Sequence, residues 1–189
     1  MKKMMGALLL CLSAQAFAGT VTVSGVGLDD KISVNKKNLV LNGAGLRTRL
    51  IFDVYVGALY LSRKMSAPEE IFMDKGPKRV ALHMLRHLSA SDFVDAFNKA
   101  INANHTPEEY TPLSARLLRF GQAFRDVGEV DKGSIVTLDF IPETGVTVLT
   151  VNGREITRIE GEDFYIALLK IWLGKNPVQD SLKEEMLGG

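Results

Sequence analysis

The chain has 189 residues, of which 46% are hydrophobic and 24% are charged, and its formal net charge at pH 7 is +1. This balance is typical of a globular protein. It leaves no basic surplus to neutralise phosphate groups, so we expect no binding to nucleic acid. The sequence has no repeat, no low-complexity tract and no long linker, which favours one domain large enough to bury its own core.

The first 18 residues predict a cleaved secretory signal peptide. Lys2 and Lys3 make a positive start, an apolar stretch follows, and residues 16–18 read Ala-Phe-Ala, a small-residue cleavage pattern. The apolar stretch is too short to span a membrane. The single cysteine, Cys11, follows a leucine rather than a small residue, which argues against a lipid-modified N-terminus.

Cleavage would leave residues 19–189 as a single domain with no cysteine, and therefore with no disulfide and no thiol chemistry. Without Lys2 and Lys3, the 23 basic side chains of the whole chain become 21, against 22 acidic ones. We expect an exported protein that resides in the periplasm. The extracellular medium is the lesser alternative.

The first third of this domain reads as strands and turns. Short strands are expected at 20–24 and 39–41, and turns at 29–31 and 43–45. Beyond the second turn, residues 47–61 predict one long, bent strand. Period-two alternation places Arg47 and Tyr55 on a face that mixes charged and aromatic side chains, and leaves the other face uniformly apolar.

The rest of the sequence alternates between helix and strand patterns. Further strands are expected at 78–88, 134–141, 146–151 and 154–159, the last two joined by an Asn152-Gly153 turn. Apolar stripes and capping signals predict five helices: 66–74 capped by Ser66, one after Ser89 or Ser91 with the stripe Phe93, Ala96, Phe97, Ala100 and Ile101, one within 107–127, 162–173 ended by Gly174, and one from Pro177 to Leu187. This order predicts an α+β fold, an antiparallel β-sheet with helices packed on one face.

Few residues fit a metal or cofactor pattern. His83 and His87 would lie about 13 Å apart along a strand, which is too far for one metal ion. There is no Gly-x-Ser-x-Gly elbow, and no dinucleotide-binding glycine pattern. We therefore expect neither a metal nor a cofactor. Arg86, at the end of a strand, is interpreted as structural and paired with an acid on the following helix.

Three segments of the chain carry a resemblance to a known family. Residues 43–47 read Gly-Ala-Gly-Leu-Arg and are followed at 56–61 by Val-Gly-Ala-Leu-Tyr-Leu; residues 85–89 read Leu-Arg-His-Leu-Ser; residues 168–174 read Leu-Leu-Lys-Ile-Trp-Leu-Gly. Together they resemble the chalcone isomerase fold family, specifically its bacterial exported members. The likeness spans about residues 38–187 and implies an open-faced sandwich of sheet and helices.

The plant enzymes of that family close a flavanone ring by intramolecular addition of a phenolate. The resemblance carries their five polar positions onto Arg47, Tyr55, Phe93, Ala100 and Ile171. Only the arginine is kept: Phe93 has no hydroxyl, and the side chains of Ala100 and Ile171 cannot form hydrogen bonds. Such a site would lack the oriented polar contacts that give the enzyme its rate. We therefore assign no catalytic residue.

A non-enzymatic branch of the same fold binds fatty acids, with an arginine and a tyrosine holding the carboxylate. Residues 53–60, Asp-Val-Tyr-Val-Gly-Ala-Leu-Tyr, resemble that branch more closely than the catalytic one. The resemblance implies that Arg47 and Tyr55 bind the acid group, with apolar helix faces as walls for the tail. On a straight strand these two residues would be roughly 26 Å apart, so they can share a ligand only if the strand bends sharply.

Three hypotheses for function remain open. The first is a non-catalytic protein that binds a small amphipathic acid, such as a fatty acid, through Arg47, Tyr55, Phe93, Ala100 and Ile171. The second is an isomerase of the intramolecular lyase type, with an oxyanion stabilised by the arginine and the tyrosine as general acid. The third is a scaffold that acts through a partner protein. The plainer interpretation pairs the arginine with Asp53 or Glu162 and makes the tyrosine a core residue.

Overall fold

Antiparallel strands and helices follow one another through the computed structural model, which describes residues 19–189; the predicted signal peptide lies outside the described residues. The strands are β1 Thr20–Val23, β2 Val26–Asp29, β3 Lys31–Val34, β4 Lys37–Arg49, β5 Phe52–Leu61, β6 Lys78–Met84, β7 Leu88–Ser89, β8 Glu129–Val130, β9 Ile135–Ile141, β10 Val146–Val151 and β11 Arg154–Glu160. The helices are α1 Pro68–Met73, α2 Ala90–Asn104, α3 Pro107–Tyr110, a 3₁₀ turn Thr111–Leu113, α4 Ser114–Val127, α5 Glu162–Leu173 and α6 Asp180–Met186.

Seven strands form one curled antiparallel sheet in the order β11-β10-β9-β6-β5-β4-β3, and the helices pack against it. The α+β fold class is thus confirmed. The largest core cluster lies between sheet and helices and includes Leu59, Phe120, Phe164 and Trp172. A second cluster covers the opposite face of the same strands, where Leu28 of β2 joins residues such as Val56. The alternation along β5 explains the two clusters, because successive side chains point to opposite faces.

The prediction of one bent strand over 47–61 is wrong. The chain reverses at Leu50-Ile51, so that β4 and β5 form a hairpin in which Arg49 pairs with Phe52. The first turn residue, Leu50, has a φ of +55°. Two-residue hairpin turns usually carry glycine or asparagine at such positions. Neither residue is present here, so no local pattern indicates a turn at this position.

The Gly43-Ala44-Gly45 segment was predicted as a turn but lies inside β4. Its glycines are required by the close approach of α6. A Cβ on Gly43 would lie 2.1 Å from the backbone oxygen of Glu185, and a Cβ on Gly45 would meet the side chain of the same residue. The missing side chains of these glycines therefore allow the backbone of α6 to pack directly against the backbone of β4.

Most other element boundaries agree with the sequence patterns. Ser89 caps α2 by accepting a hydrogen bond from the backbone of Asp92, and Asn152-Gly153 forms the β10–β11 turn with positive φ angles. Ser66 does not cap α1; the N-cap is Ala67, without a side-chain hydrogen bond. The last helix begins at Asp180 rather than Pro177, and the predicted helix within 107–127 is divided by the 3₁₀ turn. The chain also reverses at Ser24-Gly25 between β1 and β2, a hairpin that was not predicted.

Among residues 19–189, no helix has the length and apolar character needed to cross a lipid bilayer.

Candidate functional site

A cavity of about 420 Å³ opens between the outer half of the β4–β5 hairpin and helices α2 and α5. Its volume lies within the range of small-molecule sites in proteins. Polar side chains gather at its mouth and apolar side chains line the rest. The lining consists of Arg47, Arg49, Val54, Tyr55, Leu82, Arg86, His87, Leu88, Ser89, Asp92, Phe93, Ala96, Phe97, Phe120, Leu138, Ile171, Trp172 and Val178.

Arg47 and Tyr55 lie directly opposite each other on adjacent strands. Their Cβ atoms are therefore about 5 Å apart, not the roughly 26 Å of a straight strand. A bulge at Val54, where the β4–β5 register shifts, accompanies this pairing. Because of the hairpin, the two side chains are close enough for both to contact one ligand head group.

The Arg47 guanidinium is oriented by neutral groups. Its Nη1 donates to the Gln179 side-chain oxygen at 3.1 Å and to the backbone oxygen of Thr48. No carboxylate among the described residues lies within ion-pair distance of it, and Glu162, one of the expected partners, instead binds Lys75 at 2.8 Å. A partly buried cation held only by neutral acceptors retains its attraction for an anionic guest.

Tyr55 keeps its proton. Its hydroxyl accepts a hydrogen bond from the indole nitrogen of Trp172 at 3.0 Å. Burial raises the pKa of Tyr55, while the Trp172 hydrogen bond and the charge of Arg47 partly oppose that rise. A neutral phenol that accepts from Trp172 can still donate its own proton to a ligand.

The inner walls are apolar and are built from aromatic rings and aliphatic side chains. Phe93 stacks on Phe124 with ring centroids 3.7 Å apart and planes 9° apart, and Phe97 packs against Phe120. Ile171 of α5 closes another side. These surfaces offer dispersion contacts to an alkyl or aryl tail and no hydrogen bonds to it.

Four of the five predicted site residues, Arg47, Tyr55, Phe93 and Ile171, line this cavity. Ala100 does not: it lies one turn beyond Ala96 on α2, buried in the core. The apolar stripe of α2 extends along the helix beyond the cavity, and its C-terminal part packs in the protein core. Ala100 thus lies outside the lining of this cavity, and its role in ligand binding stays a prediction.

The cavity mouth carries excess positive charge. Arg47, Arg49 and Arg86 contribute three guanidinium groups, against one carboxylate from Asp92. Arg86 was expected to pair with an acid on α2. Its guanidinium instead lies over the ring of Phe52, 4.8 Å from the centroid, and it forms no ion pair with any described residue. This imbalance favours an anionic ligand.

Histidine chemistry at the mouth is limited to the rim. His87 Nδ1 lies 3.0 Å from a carboxylate oxygen of Asp131, and this hydrogen bond raises the pKa of His87. Residues 19–189 contain no group of three or more His, Cys, Asp or Glu side chains placed to hold a metal ion.

Other concavities have a different character. A groove of about 690 Å³ between α4 and β11 is larger, but charged and amide side chains such as Arg119, Gln122 and Glu155 line much of it. A third depression of about 480 Å³ lies near Lys170 and Asn176. In the groove, Arg119 and Arg154 form no ion pair within residues 19–189 but are exposed to solvent, and in the depression Lys170 lies 3.5 Å from Glu109. Arg47 is instead partly buried beside an apolar wall, so the cavity at Arg47 is the best candidate site.

Sequence reasoning missed three of the residues that shape this site. Gln179 orients Arg47, Trp172 orients Tyr55, and Arg86 adds charge at the mouth. Gln179 lies 132 positions from Arg47, and no sequence pattern signals such a contact. For Arg86, its position between the strand and α2 could have suggested a place at the cavity mouth.

Comparisons with known proteins agree with this architecture. A search of curated proteins finds no match. Among solved structures, the Arabidopsis thaliana fatty-acid binding protein AtFAP1 is similar with a TM-score of 0.67 at 17% identity, over 89% of this chain and 96% of that chain; this likeness shows a shared fold. The sequence model of a family described as chalcone isomerase-like matches residues 20–188. The chain therefore belongs to the chalcone isomerase-like family.

Proposed function

We propose that this protein binds a small amphipathic acid, such as a fatty acid, without catalysing a reaction on it. The carboxylate would accept hydrogen bonds from Arg47 and Tyr55, and the tail would lie along Phe93, Phe97 and Ile171. The observation that carries this proposal is the Arg47 guanidinium, which faces an apolar cavity and is held only by neutral groups.

The energetics favour a charged head group at this position. A guanidinium offers a planar fork of donors that matches a carboxylate, and the neutral Tyr55 hydroxyl adds a further donor on the paired strand. Burying the ligand carboxylate beside a pre-positioned cation limits the desolvation cost that an unpaired ion would carry. The apolar walls supply the remaining affinity through burial of the tail.

The likeness to AtFAP1 supports the same ligand class, since AtFAP1 is a fatty-acid binding protein. The predicted signal peptide would deliver the protein to the periplasm. There, the protein would take up or hold an acid that dissolves poorly in water.

The alternative is an intramolecular lyase in which Arg47 stabilises an oxyanion and Tyr55 acts as general acid. Burial raises the pKa of Tyr55 and so keeps it protonated, as a general acid must be, but a pKa further above neutral also makes the proton harder to transfer. The apolar side chains of Phe93 and Ile171 offer no second polar group to orient a substrate. Incubation with a chalcone, followed by absorbance, tests this alternative: loss of chalcone absorbance at a rate that depends on Arg47 would replace the binding proposal.

Titration calorimetry with dodecanoate tests the binding proposal. Arg47→Met removes the guanidinium but keeps much of the apolar stem, so affinity should fall about 10- to 100-fold, since a hydrogen bond to a charged group contributes about 1.5–3 kcal/mol. Arg49→Met is the matched control. Arg49 is exposed at the rim of the same cavity, where solvent screens its charge, so affinity should change less than about threefold.

Two results would contradict the proposal: an Arg47→Met variant with unchanged affinity, or equal losses in both arginine variants. Thermal unfolding of each variant separates loss of the ligand site from loss of the fold. Native mass spectrometry of the purified wild-type protein should also reveal a co-purified acid that is absent from Arg47→Met.

A further inference from the structure

The tip of the β4–β5 hairpin exposes an uninterrupted apolar segment. Leu50, Ile51 and Phe52 are 91%, 88% and 50% exposed. Other exposed large apolar side chains of the described chain, such as Met73 and Leu118, occur singly, as is normal on protein surfaces. The tip is the place where three such residues follow one another, and it forms a convex protrusion rather than a groove.

The residue types at this tip are unfavourable for the backbone conformation of the turn. Leu50 has a φ of +55°, a region that glycine and asparagine adopt far more readily than leucine. Fold stability would thus be served better by a polar turn residue. Local rules of this kind are most often broken where a residue serves function.

Basic groups surround the tip. Arg49 ends β4 next to Leu50, Arg86 lies over the Phe52 ring, and Arg47 lies in the cavity just behind. Asp53 is the only carboxylate in residues 47–53. Apolar side chains at an apex with arginines one step behind them match the layering of a bilayer surface, with acyl chains inside and anionic phosphates at head-group depth.

We propose that the Leu50-Ile51-Phe52 tip inserts into the interface of an anionic phospholipid bilayer and seats the cavity mouth against the lipid. A convex apolar apex suits a soft bilayer, whereas a protein partner would have to supply a matching groove. The insertion does not depend on the proposed ligand, because the three apolar residues that enter the bilayer, Leu50, Ile51 and Phe52, lie outside the cavity lining. Arg49 and Arg86, which belong to both surfaces, would contact lipid phosphates.

Vesicle flotation without added fatty acid tests this inference. The wild-type protein should float with vesicles of phosphatidylglycerol and phosphatidylcholine in equal parts, and bind pure phosphatidylcholine several-fold less. Leu50→Asn combined with Ile51→Ser should reduce binding about tenfold or more, since two exposed apolar side chains lose their burial in lipid. Asparagine tolerates the positive φ at this position, so the double variant should unfold at or above the wild-type temperature.

Leu118→Ser is the matched control, because Leu118 is 69% exposed on α4, away from the hairpin; it should float like the wild type. The inference is overturned if the wild type stays in the unbound fraction, if the double variant floats as well as the wild type, or if Leu118→Ser loses binding equally. It is also overturned if sedimentation shows that the tip joins two copies of the chain and vesicles capture neither. None of these results bears on dodecanoate affinity, so the two proposals can fail separately.

Discussion

The two ends of the segment from Asn42 to Arg47 in β4 differ in how their polar groups are used. The Asn42 side chain is 1% exposed, and its amide donates to the backbone oxygens of Met65 and Met186 while its oxygen accepts from Met65 N at 2.7 Å. At the other end, Arg47 and Tyr55 keep donors that face a cavity. A register shift marks each end. The buried Asn42, with all its partners inside the protein, stabilises the fold, whereas Arg47 and Tyr55 form the pair that we propose binds a ligand.

The largest effect should come from removing the Asn42 side chain, whose hydrogen-bonding groups all have partners inside the protein. Asn42→Ala leaves three backbone groups of Met65 and Met186 without partners, at a cost of about 1–3 kcal/mol for each buried group. We expect a loss of about 3 kcal/mol or more in the free energy of unfolding, measured by chemical denaturation. Asn38→Ala, at an exposed position of the same strand, is the control and should change stability by less than about 0.5 kcal/mol. Equal stability of the two variants would contradict the role given to Asn42.

Gly43→Ala should lower both stability and ligand affinity by pushing α6 away from β4. The new methyl group would meet the backbone oxygen of Glu185 at 2.1 Å, and overpacking of this kind costs about 1–3 kcal/mol. Because α6 follows Gln179, dodecanoate affinity should fall as well. In Gly27→Ala the nearest atom lies at 3.4 Å, so this control should keep both stability and affinity. A Gly43→Ala variant as stable as the control would show that α6 can move away without cost.

Gln179→Glu should give Arg47 a charged partner within the protein. A carboxylate at the position of the Gln179 amide oxygen would form an ion pair with Arg47, which that oxygen now contacts at 3.1 Å. Dodecanoate affinity should fall about tenfold, because the ligand must then compete with a resident anion. Gln179→Leu, which removes the acceptor without adding charge, should weaken binding less, by about three- to fivefold. The reverse order of the two losses would argue against an anion site.

A smaller effect than that of Gln179→Glu is expected when the Tyr55 hydroxyl is removed. Tyr55→Phe should weaken dodecanoate binding about fivefold, the value of one neutral hydrogen bond. Since burial raises the Tyr55 pKa above 10.0, affinity should stay constant from pH 7 to about 10. Calorimetry across that range checks this expectation, and a decline centred below pH 9 would contradict it.

The same shift has a consequence for stability. The pKa of Tyr55 is higher in the folded than in the unfolded chain, so its contribution is complete below pH 10 and is lost as pH rises above that value. Tyr60, with a pKa raised to about 12, and Tyr165 act in the same direction. The wild type should therefore lose unfolding free energy above pH 10 more steeply than Tyr55→Phe does, as denaturation curves at several pH values would show.

Local chemistry made much of the fold predictable. Asn152-Gly153 marks a hairpin because both residues tolerate positive φ, and Ser89 marks the start of α2 because its hydroxyl accepts a backbone hydrogen bond. The resemblance singled out Arg47 and Tyr55, and the hairpin brings them together. Their role in binding stays a prediction.

The remaining features depend on contacts that local sequence does not encode. Leu50-Ile51 forms a turn without any turn residue, so the local pattern predicts one strand where the structure has a hairpin. Gly43 and Gly45 predict a turn by local pattern, because the helix that needs their small size lies about 140 residues further along the chain. Ala100 fits the helical period of a cavity wall, but period alone does not say where the wall ends.

Trp172 is the only tryptophan in the chain, and its indole nitrogen is hydrogen-bonded to the hydroxyl that would receive the ligand. Its intrinsic fluorescence should therefore change when a guest draws the Tyr55 proton toward itself or displaces solvent from the cavity. If the proposed binding holds, Trp172 emission would report occupancy of the cavity, and candidate ligands would be screened without any label.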